Sequence, residues 1–265
     1  MEVVVRLSHS FPPDYSKNNE YLAKVHHIIQ KYNIEIDPAK IYLQYTVSMK
    51  EIDELKLLHK EWFPVEYTDK FFDGLVHNPN MKTILARYDY EHGKKTYKLI
   101  VGCLVYEYQF LDHDISRFNC SDLCVDRYGI YIMTFGVINE TRGKGVGSML
   151  LNKLFELAKS EKNIKYFFLD VVDYNESGKR CYEKNGFVKV YTKRKHYNLF
   201  EKRYDALVYC RYVNGGQQPR TAKELFLSCI TFCNLPCRIY EKVKLKFKRL
   251  SEYDRRAIKY KELKV

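Results

Sequence analysis

A glycine-rich turn between a predicted strand and a predicted helix is the strongest chemical signal in the sequence. Glycine lets the backbone approach a ligand closely, and the first N–H groups of a helix have no partner inside it. With two cations beside them, these groups predict a site for a phosphate-bearing ligand. An ordinary helix start would need only a Ser, Thr or Asp cap. The turn consists of Arg142, Gly143, Lys144, Gly145, Val146, Gly147 and Ser148.

The spacing of the glycines separates this turn from two common nucleotide-binding motifs. A dinucleotide fingerprint requires a third glycine where Ser148 stands, and a P-loop requires Gly-Lys-Ser or Gly-Lys-Thr after a four-residue gap. The sequence contains neither motif here. The pattern Arg-x-x-Gly-x-Gly, met by Arg142, Gly145 and Gly147, instead resembles the pyrophosphate-binding turn of the GNAT acetyltransferases.

Strands and helices alternate on both sides of the turn. Apolar or alternating segments predict strands over residues 41–47, 81–88, 98–108, 130–137, 166–172, 187–191 and 206–213. Helical spacing predicts helices over residues 19–32, 51–62, 69–77, 175–185 and from the turn through residue 159. Gly93 can take a left-handed conformation in the turn of a predicted hairpin. This alternation predicts a mixed α/β (α+β) sheet with helices on both faces, and the resemblance implies the GNAT acyl-CoA N-acyltransferase fold.

Three further segments narrow the choice of branch within that family. They are the loop Trp-Phe-Pro-Val-Glu-Tyr at residues 62–67, the strand Tyr-Ile-Met-Thr-Phe-Gly at 131–136, and Tyr-Val-Asn-Gly-Gly at 212–216. Together they resemble the N-alpha-acetyltransferases of the Golgi-associated NatF type. The likeness covers roughly residues 41–250. It implies transfer of acetyl from acetyl-CoA, without a metal, to protein N-termini that begin with Met followed by a hydrophobic or basic residue. Read without the resemblance, the loop also suits a turn that packs on the core.

The resemblance assigns roles to residues at matching positions. Tyr131 is implied as a catalytic residue that acts with an ordered water, and Asp170 stands where the family has a catalytic histidine. Phe63, Tyr67 and Met133 would contact the substrate N-terminus. Contacts with coenzyme A are implied for Phe135, Gly136, Val137, Arg142, Gly143, Lys144, Gly145, Val146, Gly147, Ser148, Asn175, Tyr182, Glu183, Lys184 and Asn185.

The aspartate at position 170 is the main departure from the family pattern. A free aspartate has a pKa of about 3.9, against about 6.5 for histidine, so aspartate is the weaker base unless burial compensates. His196, just before the last predicted strand, is a second candidate base. At pH 7 an α-amino group is roughly one-tenth neutral, whereas a lysine is neutral to only a few parts in ten thousand. The loss of a strong base therefore penalises lysine acetylation more than N-terminal acetylation.

Composition limits the remaining possibilities. The 265 residues, 46% of them hydrophobic, suffice for one catalytic domain with extensions. The sequence contains no pattern of a secretory signal and no run of about 18 apolar residues, so we expect the protein on the cytosolic side. Its 8 cysteines lack a zinc-binding pattern and are expected to be reduced.

The positive charge is concentrated near the C-terminus. The chain carries a net charge of +12, and residues 217–265 contribute 13 Lys and Arg against 5 Asp and Glu. Apolar residues repeat at helical spacing on both sides of Pro236, although an alternating Lys-x-Lys-x stretch also suits a strand. This basic amphipathic tail predicts binding to an anionic membrane surface; the alternative is a helical pair folded back on the catalytic domain. The resemblance implies the cytosolic face of the Golgi or another endomembrane.

We therefore predict an N-terminal extension over residues 1–40, a GNAT domain over 41–214 and a membrane-associating tail over 215–265. The protein is expected to be a monomer or weak homodimer that binds no nucleic acid. Two other functions stay open at this point. One is a lysine or histone acetyltransferase on the same fold, and the other is a membrane-bound GNAT adaptor with weak catalysis.

Overall fold

The computed structural model describes residues 23–110, 128–199 and 202–217. Predictions for residues 1–22 and for the tail from residue 218 lie outside these ranges. The described residues form the strands β1 (Tyr42–Gln44), β2 (Met81–His92), β3 (Lys95–Phe110), β4 (Tyr128–Val137), β5 (Tyr166–Val172), β6 (Val188–Leu199) and β7 (Lys202–Tyr212). Their α-helices are α1 (Lys24–Tyr32), α2 (Ile52–Trp62), α3 (Asp69–His77), α4 (Val146–Ser160) and α5 (Glu176–Lys184).

The strands form one sheet in the order β1-β2-β3-β4-β5-β7-β6. The central neighbours β4 and β5 run parallel, and every other neighbouring pair is antiparallel. A parallel pair needs a crossover connection, and α4 supplies it between β4 and β5. The mixed sheet predicted from the sequence is confirmed. None of the helices among the described residues is long and apolar enough to cross a lipid bilayer.

The two central strands separate soon after they meet. They pair only where Gly129, Ile130 and Tyr131 face Tyr166, Phe167 and Phe168. Both strands continue beyond this ladder, so within the described strands residues 132–137 and 169–172 have no ladder bonds to each other. The separation leaves backbone N–H and C=O groups available along the gap. The gap leads from Tyr131 towards the glycine turn.

A β-bulge in β4 accompanies the separation. Thr134 pairs with Val105 and Ile132 pairs with Tyr106, which leaves Met133 as the extra residue. A bulge bends the strand that carries it. The bend therefore gives a local reason for β4 to diverge from β5.

Helix α1 belongs to the core, although the sequence placed it in an N-terminal extension. Val25, Ile28 and Ile29 are buried in the same apolar cluster as the sheet residues. The backbone N–H groups of Lys24 and Val25 donate to the carboxylate of Glu54 on α2, at 2.7 and 2.9 Å. Residues 23–40 thus pack with the catalytic domain, because the apolar stripe of α1 is covered by that domain.

The last two strands are longer than predicted. The sequence indicated strands over residues 187–191 and 206–213, whereas β6 and β7 continue as a hairpin in which Leu199 faces Lys202. Residues 192–205 are rich in charge and lack a clear apolar alternation, so the periodicity gave no signal there. Backbone pairing between β6 and β7 holds this part of the hairpin together, although its side-chain pattern does not predict strands.

His26 links α1 to α2 and to the segment that precedes the glycine turn. Its Nε2 lies 2.6 Å from Oε2 of Glu61, and its Nδ1 lies 3.2 Å from Oε1 of Glu140. Burial alone would lower the pKa of His26, but hydrogen bonds with Glu140 and Glu61 and their negative charges raise it to about 9. At neutral pH, protonated His26 therefore bridges two carboxylates.

We expect His26→Gln to destabilise the protein in a pH-dependent way. The pKa of this histidine rises from 6.5 to about 9 on folding, so its contribution is fully present below pH 6.5 and is lost as the pH rises through 9. The substitution should lower the free energy of unfolding by up to about 3 kcal/mol near pH 6 and by much less near pH 10. Denaturant unfolding at both pH values tests this. His27→Gln, on the exposed face of the same helix, is the control, and an equal loss for His26→Gln at both pH values would contradict it.

Candidate active site

The glycine turn adopts the backbone that its sequence suggested. Gly143 and Gly145 have φ values of +74° and +88°, a region that other residues rarely adopt. Helix α4 begins directly afterwards at Val146, without a side-chain cap, and the first intrahelical bond runs from the N–H of Met149 to Gly145. The N–H groups of residues 146–148 therefore remain free of helical partners. The exposed side chains of Arg142 and Lys144 flank them.

Three elements meet beside this turn. A Cβ at Gly147 would lie 3.0 Å from the ring of Phe135, so the start of α4 approaches β4 closely. The ring of Phe135 is 6.0 Å from that of Tyr182 on α5. Burial is the main cause that raises the pKa of Tyr182, whose hydroxyl is therefore protonated at neutral pH. Phe135, Gly147 and Tyr182 thus line one end of the gap.

The other residues predicted on α5 have partners within the protein. Asn175 caps the helix by accepting a 2.9 Å hydrogen bond from the N–H of Gly178. Glu183 accepts a bond from the hydroxyl of Tyr209 at 2.8 Å, and the amide of Asn185 donates to the carbonyl of Cys181 at 2.8 Å. Lys184 is exposed. The structure therefore gives Asn175, Glu183 and Asn185 structural bonds, in addition to the coenzyme contacts that the resemblance implies.

Gly136 allows α2 to pack against β4. A Cβ at this position would lie 2.3 Å from the indole of Trp62, the last residue of α2. The adjacent Val137 is partly buried and packs against the core. This contact fixes the end of α2, and so the start of the predicted substrate loop, relative to the central strand.

His59, which the sequence did not single out, holds the predicted substrate loop in place. Its Nδ1 lies 2.8 Å from the carbonyl of Leu55, which can only accept, so Nε2 accepts from the hydroxyl of Thr134 on β4 at 3.2 Å. Burial lowers the pKa of His59 to about 4, and the ring is neutral. The rings of Phe63 and Tyr67 both lie 5.4 Å from the imidazole. The sequence signal that could have identified His59 was the position of a histidine on the apolar stripe of α2.

The two predicted catalytic residues lie together where the central strands separate. The Tyr131 hydroxyl donates to Oδ2 of Asp170 over 3.4 Å, and the Tyr131 ring packs 4.9 Å from that of Phe168. The pKa of Tyr131 is raised well above its usual range, mainly by burial and to a smaller extent by the negative charge of Asp170. Tyr131 is therefore a neutral hydrogen-bond donor at physiological pH.

Strand β6 adds two residues that the sequence did not indicate. Nζ of Lys193 lies 2.9 Å from Oδ2 of Asp170. Burial and the charge of Asp170 raise the pKa of Tyr197, which also lies near Tyr67. Among the hydrogen bonds of the described residues, Asp170 bonds to Tyr131 and Lys193 and not to His196. The exposed ring of His196 packs 5.1 Å from Tyr197.

No group of three or more His, Cys, Asp or Glu in the described ranges could hold a metal ion. The site is therefore built from tyrosines, one ion pair, the gap between the strands and the glycine turn. Such a site can orient an amine beside a carboxylate and hold a phosphate-bearing ligand along the gap.

Comparison with known proteins agrees with this arrangement. The sequence matches the acetyltransferase (GNAT) family over residues 49–187, and the chain belongs to that family. N-alpha-acetyltransferase 60 of Xenopus tropicalis is 30% identical over 204 residues, which cover 72% of this chain and 80% of the relative.

Two solved structures resemble the fold. Arabidopsis thaliana NAA60 in complex with a bisubstrate analogue aligns with a TM-score of 0.58 at 19% identity, over 66% of this chain and 99% of that one. Arabidopsis thaliana Naa50, in complex with the bisubstrate analogue CoA-Ac-MVNAL, aligns with a TM-score of 0.50 at 26% identity, over the same shares of the two chains. The predicted GNAT fold is confirmed, and the protein is an acetyltransferase.

Proposed function

We propose that this acetyltransferase moves an acetyl group from acetyl-CoA to the free α-amino group of protein N-termini. The observation that carries the proposal is the Tyr131–Asp170 hydrogen bond at the mouth of the gap between β4 and β5. The relative at 30% identity is named an N-alpha-acetyltransferase, and the ligand of the Naa50 structure joins CoA to a peptide that begins with Met.

The gap and the turn fit acetyl-CoA. The free N–H groups of residues 146–148 and the cations Arg142 and Lys144 match a pyrophosphate. Because none of the described strands pairs with β4 beyond Tyr131 on the side of β5, the backbone at residues 135–137 is available to an extended, amide-containing arm. Bound there, acetyl-CoA supplies a thioester whose acetyl carbon can be transferred to nitrogen with release of the thiol.

The chain's own residues can manage the protons of that transfer. The new bond joins the amine nitrogen to the acetyl carbon while the carbon–sulfur bond breaks, so the amine must lose a proton and the sulfur must gain one. Asp170 accepts a hydrogen bond from Tyr131, where the two strands separate, and can take up the proton of the amine. Tyr182 keeps its proton at neutral pH and lies at the Phe135 end of the gap, where it can serve as the donor to sulfur.

The loop at residues 62–67 suits a substrate whose first residue is apolar. Phe63 and Tyr67 are partly buried, and their rings lie 5.7 Å apart. Met133, the bulged residue of β4, is also partly buried and packs against the core. These three side chains come from the loop and from the central strand, and they are the apolar contacts proposed for the substrate's methionine. A hydrophobic or basic second residue is part of the same proposal.

A pair of peptides tests the function. One carries a free N-terminal Met and no lysine. The other differs from it only in a blocked N-terminus and in one internal residue, which is replaced by lysine. With acetyl-CoA, the first should gain one acetyl group at the α-amine and the second should react far more slowly, because so little lysine is neutral at pH 7. Preferred reaction of the blocked peptide would favour the lysine or histone acetyltransferase. Binding of acetyl-CoA without turnover of either would favour the adaptor.

We also propose that the basic tail attaches the enzyme to an anionic membrane surface, on the cytosolic face of the Golgi or another endomembrane. Support comes from the charge of residues 217–265 and from their apolar repeat. Basic residues near an anionic bilayer gain about 1 kcal/mol each. The full chain should sediment with phosphatidylserine vesicles at low salt and much less with neutral vesicles. Equal sedimentation with both would contradict the proposal.

A further inference from the structure

Lys193 covers the buried carboxylate of Asp170. The Asp170 side chain is 9% exposed and the Lys193 side chain 32% exposed. On β7, Asp170 faces Val208 and Lys193 faces Ala206, two residues away. The lysine therefore reaches diagonally across β7 on the face of the sheet that carries Asp170. It forms an ion pair with Oδ2 of Asp170 and stays partly exposed to solvent.

The two carboxylate oxygens have different surroundings. Oδ2 accepts from both the Tyr131 hydroxyl, at 3.4 Å, and Nζ of Lys193, at 2.9 Å. Oδ1 is buried and has no hydrogen-bond partner among the described residues. One oxygen is thus anchored by the protein. The other has no donor within the part of the chain that the structure describes.

We propose that Lys193 is a positioning residue: it anchors Oδ2 of Asp170 so that Oδ1 faces the substrate's amino group and accepts its hydrogen bond. The proposal rests on the proposed function, since it assigns Oδ1 to the amine that is acetylated. It also gives a defined role to the aspartate at this position, where the family resemblance implies a histidine. The lysine gives the carboxylate a fixed orientation and a counter-charge.

The other groups that face Asp170 cannot supply this charge. They are tyrosines: Tyr131 from β4 and Tyr197 from β6, with Tyr67 and Tyr174 beside them. Burial and the charge of Asp170 raise the pKa of Tyr131 and Tyr197, so both are neutral. The neighbour of Asp170 on β7 is the apolar Val208. Among these groups, Lys193 alone is a cation.

Kinetics of Lys193→Met and Lys193→Arg test the role. Lys193→Met should lower kcat about tenfold, because small misplacements of a reacting group are costly, and Lys193→Arg should recover most of the loss. The KM for acetyl-CoA should stay unchanged in both variants, because the lysine bonds to Asp170 and not to the glycine turn. Lys189→Met, an exposed lysine on the same strand, is the control.

A double-mutant cycle separates positioning from a merely structural role. In the Asp170→Asn background, Lys193→Met should cause little further loss of kcat, because no carboxylate remains to be oriented. An ion pair that matters only for folding would couple the two residues in unfolding experiments while leaving the kcat of Lys193→Met unchanged. That outcome would overturn the proposal, as would an undiminished effect of Lys193→Met in the Asp170→Asn background. If the wild type acetylated no α-amine at all, the proposed function itself would fail, and the positioning role with it.

Discussion

Replacing Tyr131 with Phe should lower kcat for a peptide with a free N-terminal Met by about a hundredfold, the usual scale for a group that assists proton transfer. The hydroxyl is lost, while the ring can still pack 4.9 Å from Phe168. Affinity for acetyl-CoA should be unchanged, because the hydroxyl bonds to Asp170 and not to the glycine turn. Steady-state kinetics with a titration of acetyl-CoA measures both quantities.

Two companion variants make this result specific. Asp170→Asn removes the proton acceptor but should lower kcat by a smaller factor, about tenfold, because roughly one-tenth of the α-amino groups are already neutral at pH 7. Tyr42→Phe removes another tyrosine–aspartate bond, the 2.8 Å contact with Asp89 on the far edge of the sheet, and should leave kcat unchanged. Negligible effects of both Tyr131→Phe and Asp170→Asn would exclude this pair from catalysis.

Replacing Gly145 with Val should weaken acetyl-CoA binding by about a hundredfold, through backbone strain and displaced N–H groups. Gly145 has a φ of +88°, and a Cβ there would meet nothing within 4 Å. The loss therefore comes from the backbone, since a β-branched residue is strained in this region, and relief of the strain moves the N–H groups of the turn. Calorimetric titration of acetyl-CoA measures the change.

The chain offers a closely matched control for that substitution. Gly93, in the turn between β2 and β3, has a φ of +61° and also has open space around its missing Cβ. Gly93→Val should cause similar strain and a similar loss of stability, yet keep the affinity for acetyl-CoA. Equal affinities of Gly145→Val and the wild type would show that the turn does not bind the ligand.

The parts of the site that the sequence could predict are those made by local patterns. The glycines at 143, 145 and 147 and the strand before them form one continuous segment, so a single stretch of chain specifies the turn. Tyr131 and Asp170 could be paired only through the family resemblance, since 39 residues separate them. The structure adds the physical reason: the β4–β5 ladder ends just where these two side chains meet.

The parts that could not be predicted depend on distant contacts. Lys193 lies in a charged segment without apolar alternation, and only the pairing of β6 with β7 brings it to Asp170. In the sequence, His59 only interrupts the apolar stripe of α2. Its role depends on Thr134, which lies opposite its Nε2 in the fold. Helix α1 reads as an extension until Glu54 and the sheet are seen to cover it. In each case the partner lies far away in sequence.

The most direct measurement of the proposed chemistry is the affinity of a conjugate in which an acetyl bridge joins CoA to the α-amine of a Met-starting peptide. Because the glycine turn and the Phe63–Tyr67 loop flank one gap, both halves should bind together. The conjugate should therefore bind at least about tenfold more tightly than CoA alone, and a conjugate joined through the lysine of an N-blocked peptide should gain much less. If the α-amine conjugate bound no more tightly than CoA, or less tightly than the lysine conjugate, N-terminal acetylation at this site would be contradicted.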